Sequence, residues 1–297
     1  MSENMFTKLL PNLYFVLGEN NGRFPYSNGL MIDTDVRILV DTGFGRGRIE
    51  GIKESGEVEI IINTHYHMDH VYGNKYFPNA QIWAHTLDAP ALRSPEQFIA
   101  YTGLTEKQGF FDAKKFPGGP RGRDVDKELV DGEVMDFGSI ALQVIHAPGH
   151  TPGHIALFER QSGFLFSSDV DLTPFGPWYG NVRSDLEMFI RSIRRLMDLN
   201  PKVLVTSHSG IISDNILDRL QEYSDIIEFR NEQILQHLNV PKRIDELVDL
   251  KIIYRRYLEP QRLYRFFEEV MLRKHLEYLI RQGRVYESPN QTFKSCD

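Results

Sequence analysis

Short apolar segments separated by turn residues make up most of the first two thirds of the chain. Runs of three to six apolar residues, bounded by Gly, Pro, Asn or Asp, are typical of β-strands. The sequence predicts nine of them, at 13–17, 29–32, 37–40, 59–63, 81–84, 140–145, 155–158, 164–166 and 203–205.

Helical segments lie between these strands, most clearly at 184–199. Its apolar positions follow the 3.6-residue period of a helix, and Pro201 lies just past its end. Strands mixed with helices predict an α/β sandwich with a large core. Residues 86–128 are less regular and contain Pro90 and Pro95, so we interpret them as a long loop that covers a functional site.

The pattern changes in the last third of the chain. Apolar residues on one face predict a long helix from about Ser213, and Pro241 and Pro260 can each open a further helix. Two strand-like segments near the end flank a Pro-Asn turn and predict a hairpin. We therefore predict an α/β domain at 1–212 and a small, mostly helical, winged-helix-like domain at 213–297.

Composition and charge exclude several classes of protein. The 297 residues are 41% hydrophobic and 25% charged, which is ordinary for a soluble globular protein. No apolar run approaches the roughly 20 residues that span a bilayer, and the first ten residues do not resemble a signal peptide. Cys296 is the only cysteine and cannot form an internal disulfide, which favours a cytoplasmic location. The net charge of −7 argues against nucleic-acid binding by the whole surface.

Four candidate metal ligands lie within six residues, directly after the predicted strand at 59–63. They are His65, His67, Asp69 and His70. Residues two apart in an extended segment point to the same side, so His65 and His67 can bind one ion together. If the chain then turns, Asp69 and His70 can face a second ion. Imidazole and carboxylate ligands suit Zn²⁺, and also Fe or Mn.

Three further candidates follow other predicted strands. His150 comes after 140–145, Asp169 after 164–166 and His208 after 203–205. Loops at the carboxyl ends of strands in open α/β sheets meet in one crevice, so we expect these side chains to join the first four. The sequence thus predicts a site for two divalent metal ions.

These motifs together resemble those of the metallo-β-lactamase superfamily. The resemblance rests on the His-x-His-x-Asp-His run, Gly-His-Thr-Pro-Gly-His at 149–154, Ser-Ser-Asp, Ser-His-Ser-Gly, and Asp-Thr-Gly at 41–43, and covers about residues 10–210. It implies an αββα sandwich with the metals at one edge of the sheets. It also implies that one metal is held by His65, His67 and His150, the other by Asp69, His70 and His208, with Asp169 bridging.

A two-metal site of this kind implies hydrolysis. Two ions about 3.5–4 Å apart can share a water, and the resulting bridging hydroxide is the nucleophile. We expect Asp69 to act as an orienting base or proton shuttle. Asp41 and His154 are candidates for holding the metal ligands in place by hydrogen bonds. Trp178 and Tyr179 are candidates for lining the substrate pocket or for supporting the ligands in the same way.

Several substrates fit such a site. Hydrolysis of an ester or thioester of a small acyl compound, as in the glyoxalase II-like branch, is our main prediction. Phosphodiester hydrolysis, as in the β-lactamase-like endoribonucleases, is the alternative, because 251–284 holds nine Lys/Arg against four Glu and could contact nucleic acid. The tail could instead bind a partner protein or a second copy of the chain in a homodimer, or cover the site. A mononuclear iron oxygenase of the same superfamily is a minor alternative.

Overall fold

Two mixed β-sheets form the centre of the molecule. The computed structural model describes residues 5–105 and 122–296. In these residues the first sheet has seven strands in sequential order. They are β1 Phe6–Leu10, β2 Leu13–Val16, β3 Gly29–Asp33, β4 Arg37–Val40, β5 Ile60–Asn63, β6 Gln81–His85 and β7 Lys127–Leu129. Strands β1 to β4 are antiparallel, and β4 to β7 run parallel.

The second sheet contains six strands in the order β13-β12-β11-β10-β9-β8. Only β11 and β12 pair in parallel. The strands are β8 Val134–Asp136, β9 Ala141–His146, β10 Ile155–Glu159, β11 Phe164–Ser168, β12 Val203–Thr206 and β13 Gly210–Ile212.

The alternation of side chains along the strands divides the interior into layers. Ile62 and Val205 point between the two sheets and join one buried cluster. Their neighbours point the other way: Ile61 packs with α1 Arg46–Ser55, α3 Ala89–Arg93 and α4 Pro95–Thr102, and Leu204 packs with α5 Leu186–Asp198. The result is the αββα sandwich that the resemblance implied.

Three helices and a hairpin follow the second sheet, in the predicted order. They are α6 Ile216–His237, α7 Ile244–Asp249, α8 Gln261–Arg281, β14 Val285–Glu287 and β15 Phe293–Ser295. Most of their buried apolar side chains belong to the same cluster as those of α5. The winged-helix arrangement and the domain boundary after residue 212 stay predictions. None of the described helices combines the length and the apolar character needed to cross a bilayer.

The interpretation of 86–128 as a loop is wrong for much of the part that is described. Pro90 and Pro95 lie in the first turns of α3 and α4, where a missing N–H costs nothing, and Ser94 caps α4 by accepting a hydrogen bond from the Gln97 N–H at 3.3 Å. The prolines therefore begin helices here instead of breaking them. Residues 106–121 of the predicted covering loop lie outside the described residues.

Candidate metal centre

Three imidazole nitrogens and one carboxylate oxygen form a first cluster at the ends of β5, β9 and β11. His150 Nε2 lies 2.9 Å from His67 Nδ1 and 3.3 Å from His65 Nε2. Asp169 Oδ2 lies 3.2 Å from His150 Nε2 and 3.8 Å from His65 Nε2. All four side chains can offer one atom to a common centre.

A second cluster lies on the other side of the Asp169 carboxylate. Asp169 Oδ1 is 3.0 Å from His70 Nε2 and 3.5 Å from His208 Nε2. Asp69 Oδ2 lies 3.5 Å from the same nitrogen of His208. The two oxygens of Asp169 thus face different clusters, which is the arrangement of a bridging ligand. All seven predicted ligands are brought together, in the two groups that the resemblance implied.

Backbone carbonyls fix the orientation of two of these histidines. His150 Nδ1 lies 2.8 Å from the Trp178 carbonyl oxygen, and His208 Nδ1 lies 2.6 Å from that of Gly22. A carbonyl can only accept, so each Nδ1 carries the proton and donates it. In the neutral ring, Nε2 then presents a lone pair to its cluster.

Asp41 orients a third histidine and the loop before it. Its carboxylate accepts from His70 Nδ1 at 2.8 Å, from the Thr64 N–H at 2.8 Å and from the Thr64 hydroxyl at 2.7 Å. Because that hydroxyl donates to Asp41, it can accept from His65 Nδ1, 3.1 Å away. His65 Nε2 therefore also presents a lone pair to the first cluster.

Asn181 lies behind the fifth histidine, His67. Its amide group contacts His67 Nε2 and lies 3.1 Å from the Tyr66 hydroxyl. The assignment of oxygen and nitrogen in an amide follows from its neighbours. The atom that faces the ring is the amide nitrogen Nδ2. His67 Nδ1 keeps a lone pair for the cluster when the amide is turned over, so that its oxygen accepts from His67 Nε2. The hydrogen bonds made by His65, His70, His150 and His208 therefore orient these four imidazoles as metal ligands.

The electrostatic environment differs between the clusters. Burial, with His70 beside it, lowers the pKa of His65 well below its ordinary value, and burial with His150 nearby lowers the pKa of His67. These rings are neutral, as metal ligands must be. Burial also opposes charge on His208, but nearby carboxylates, Asp169 foremost, outweigh it and raise the pKa of His208 to about 9. A cation in the second cluster would compete with that proton.

Two buried atoms of the second cluster support the fit to a metal. His70 Nε2 and Asp169 Oδ1 are buried and make no hydrogen bond among the described residues. Buried polar atoms are almost always paired, and an ion is one accepted reason for an exception. The donor set of imidazole nitrogens and carboxylate oxygens suits Zn²⁺, Fe or Mn. The residues present therefore fit a pair of divalent ions.

The remaining predicted residues lie close by, in different roles. His154 is buried, and its Nε2 accepts the Asp169 N–H at 3.2 Å, so it supports the bridging residue. The Trp178 ring packs 5.4 Å from the ring of His67. Tyr179 is fully buried, with its hydroxyl 2.6 Å from His275 Nε2. That hydroxyl is engaged inside the protein, so of the two predicted roles the structure places Tyr179 among the supporting residues and not in a pocket wall.

Sequence reasoning missed Asp88, which joins the two loops of the first cluster. This buried carboxylate accepts the Thr151 hydroxyl at 2.6 Å, the Gly153 N–H at 2.6 Å and the Tyr66 N–H. A Cβ on Gly153 would lie 2.8 Å from the Asp88 carboxyl carbon, so only glycine fits there. The one indication in the sequence is that Asp88 lies just after a strand, β6; most of the other site residues also lie just after a strand. Asn181 had no comparable signal.

The chain is similar to known proteins over most of its length. A family model for the metallo-beta-lactamase superfamily matches residues 22–208. Beta-lactamase-like protein 2 homolog of Caenorhabditis elegans is 26% identical, over 94% of this chain and 88% of that protein. Atrochrysone carboxyl ACP thioesterase of Aspergillus fumigatus is 25% identical, over 76% of this chain but only 65% of that protein. The crystal structure of a metallo-beta-lactamase family protein from Thermus thermophilus is 29% identical with a TM-score of 0.76, covering 97% of this chain and 100% of that one.

Proposed function

Because the chain belongs to the metallo-beta-lactamase superfamily, we propose that it is a metal-dependent hydrolase that cleaves the ester or thioester bond of a small acyl substrate. The observation that carries this proposal is the pair of ligand clusters that share the Asp169 carboxylate. The thioesterase among its relatives supports the choice of bond. Since the chain spans about two thirds of that protein, the substrate itself is part of the proposal.

Proton transfer in this proposal falls to Asp69. A pair of divalent ions bound in the clusters would supply Lewis acidity and a water of lowered pKa. Asp69 Oδ2 lies 3.5 Å from His208 Nε2, and the side chain keeps 12% of its surface exposed. It is therefore within reach of both the second cluster and an entering water. We assign it the role of orienting that water and accepting its proton.

The variant Asp69→Asn tests this role. It keeps the shape of the side chain but removes the basic oxygen, and it leaves His65, His67 and His150 in place. We expect turnover to fall by about 100-fold or more, since a general base contributes ~10²–10⁴-fold. Metal bound in the first cluster, measured by chelator competition, should be retained. Near-normal turnover in the metal-loaded variant would contradict the role assigned to Asp69.

The choice of substrate class needs a direct comparison. The protein loaded with Zn²⁺ or with Mn²⁺ is assayed against an acyl thioester, a lactone, bis(p-nitrophenyl) phosphate and single-stranded RNA. We expect release of thiol or acid from the first two to exceed cleavage of the last two, and Asp169→Ala to abolish it. Preference for RNA or the phosphodiester would replace the proposal by the phosphodiesterase alternative. Oxygen consumption with one bound iron would replace it by the oxygenase alternative.

The basic segment gives the nucleic-acid alternative little support. Five of the nine basic residues in 251–284 lie within 4 Å of a carboxylate, among them Arg265 beside Asp249 and Arg284 between Glu228 and Glu232. These acids offset much of the local positive charge that phosphate binding requires. We therefore keep the small acyl substrate as the proposal.

A further inference from the structure

The loop of residues 169–181, between β11 and α5, touches both clusters. It begins with the shared ligand Asp169, its Trp178 carbonyl accepts from His150 Nδ1 at 2.8 Å, and it ends with Asn181 against His67. The placement of three of the four first-cluster residues, Asp169, His150 and His67, therefore depends on where this loop lies. The contacts that hold the loop come largely from helices α6 and α8.

Arg230 of α6 binds the loop on both sides of Trp178. It is buried, and its Nη1 donates to the Pro177 carbonyl at 2.6 Å and to the Tyr179 hydroxyl at 2.8 Å. Its Nη2 donates to the Phe175 carbonyl. The guanidinium is planar, with donors at fixed angles, so these contacts fix the relative positions of three loop residues.

Tyr179 connects Arg230 to α8 by hydrogen bonds. Its hydroxyl accepts from Arg230, so it donates its own proton to His275 Nε2, 2.6 Å away. His275 Nδ1 then donates to Asn231 Oδ1 at 2.6 Å. Burial, with the cation of Arg230 nearby, keeps the pKa of His275 well below its ordinary value, so the ring is neutral. Each proton in this buried chain has one position, which makes the arrangement rigid.

The Trp178 indole is held from α8 by a separate route. Its Nε1 donates to the Tyr254 hydroxyl at 2.7 Å. The buried Glu268 of α8 accepts the Tyr254 N–H at 2.8 Å and the Ile253 N–H at 3.0 Å, which fixes the segment that carries Tyr254. Trp178 is thus fixed through its neighbours and through its own side chain.

We propose that Arg230, Tyr179 and His275 are positioning residues for the His65–His67–His150 cluster. They act through the Trp178 carbonyl, which sets the orientation of the His150 ring. This inference rests on the proposed metal site and deepens it, because it makes the helices after residue 213 part of the metal centre. Partners of this kind typically contribute about 10- to 100-fold in metal affinity when removed.

Two single-hydroxyl variants test the proposal. Tyr179→Phe removes the group that joins Arg230 to His275. Tyr257→Phe is the matched control: its hydroxyl donates to the Val248 carbonyl at 2.6 Å in the same part of the chain. For each we would measure the Zn²⁺ dissociation constant by chelator competition, the visible absorption spectrum of the Co²⁺-loaded protein, and the thermal unfolding of the metal-free protein.

We expect Tyr179→Phe to weaken the first-cluster metal by about 10-fold or more and to change the Co²⁺ spectrum, which reports ligand geometry. Tyr257→Phe should change neither. Arg230→Lys keeps the charge but loses the planar set of donors, so it should have the same effects as Tyr179→Phe. It replaces Tyr179→Phe in the test if that variant does not fold. A folded Tyr179→Phe or Arg230→Lys protein with unchanged metal affinity and an unchanged spectrum would overturn the inference. A wild-type protein that binds no metal would instead refute the proposed function.

Discussion

His70 Nε2 lies 3.0 Å from Asp169 Oδ1, and both atoms are buried without a hydrogen-bond partner among the described residues. His70 donates the proton on Nδ1 to Asp41, and the other oxygen of Asp169 faces His150. Two electron-rich atoms turned toward each other in a buried site are stabilised by a positive charge between them or beside them. A proton can supply that charge in the metal-free protein, and a divalent cation can replace it.

Asp41 should prove necessary for both stability and metal binding. Its backbone has a φ of 61°, which Asn also tolerates, so Asp41→Asn keeps the turn but replaces one acceptor oxygen by a donor. At least one buried donor, from Thr64 or His70, then loses its acceptor. We expect the free energy of unfolding to fall by about 1–3 kcal/mol and metal affinity in the second cluster to fall by about 10- to 100-fold.

Urea unfolding of the metal-free protein and zinc competition would check these two effects. Asp33→Ala is the control, because Asp33 pairs at 2.9 Å with the partly exposed Arg37. That variant should lose no more than about 1 kcal/mol and bind zinc normally. Equal losses in the two variants would contradict the role given to Asp41.

Gly43 should be required although it carries no side chain. A Cβ there would lie 1.4 Å from the Asp69 carbonyl oxygen and 2.4 Å from Ser27 Oγ. Gly43→Ala must therefore displace the backbone that carries Asp69, and we expect a loss of about 1–3 kcal/mol in unfolding free energy together with impaired zinc binding. In Gly51→Ala in α1, the new Cβ would meet, among the described residues, only the Met5 side chain at 3.4 Å, so this variant should be neutral or stabilising. Calorimetric zinc titration distinguishes the two, and normal binding by Gly43→Ala would contradict the account.

Asp88 should shape the pH dependence of stability. Burial raises the pKa of Asp88 from 3.8 to about 7 in the folded protein. Between about pH 4 and 7, the folded chain therefore keeps a proton that the unfolded chain has released, so stability from this group is lost as the pH rises. Asp88→Asn cannot lose a proton and should remove this contribution to the slope, up to about 1.4 kcal/mol per pH unit. Parallel curves for wild type and Asp88→Asn, in urea unfolding of the metal-free proteins, would contradict this.

The sequence predicts the candidate metal ligands because they are recognisable residue types that lie directly after strands. The nine predicted strands correspond to strands of the structure, and His150, Asp169 and His208 meet the 65–70 segment because each follows such a strand. The helix α1 was missed because it buries only Ile49 and Ile52, too few to give a clear 3.6-residue period. The helices at Pro90 and Pro95 do not follow from the sequence pattern, because proline is typical of loops as well as of the first turn of a helix.

The groups that orient the candidate metal ligands are harder to predict from the sequence, for a different reason. The carbonyls of Gly22 and Trp178 orient His208 and His150, and any residue type carries a carbonyl. Arg230 and His275 lie in regular helices far along the chain, where a polar residue usually faces solvent. Their roles follow only from tertiary packing.

The most direct test is anomalous diffraction from crystals of the zinc-loaded protein, collected on both sides of the zinc absorption edge. The account predicts two zinc peaks per chain: one among His65, His67 and His150, the other among Asp69, His70 and His208, with Asp169 between them. A single peak, or peaks elsewhere, in crystals grown with excess zinc would contradict it.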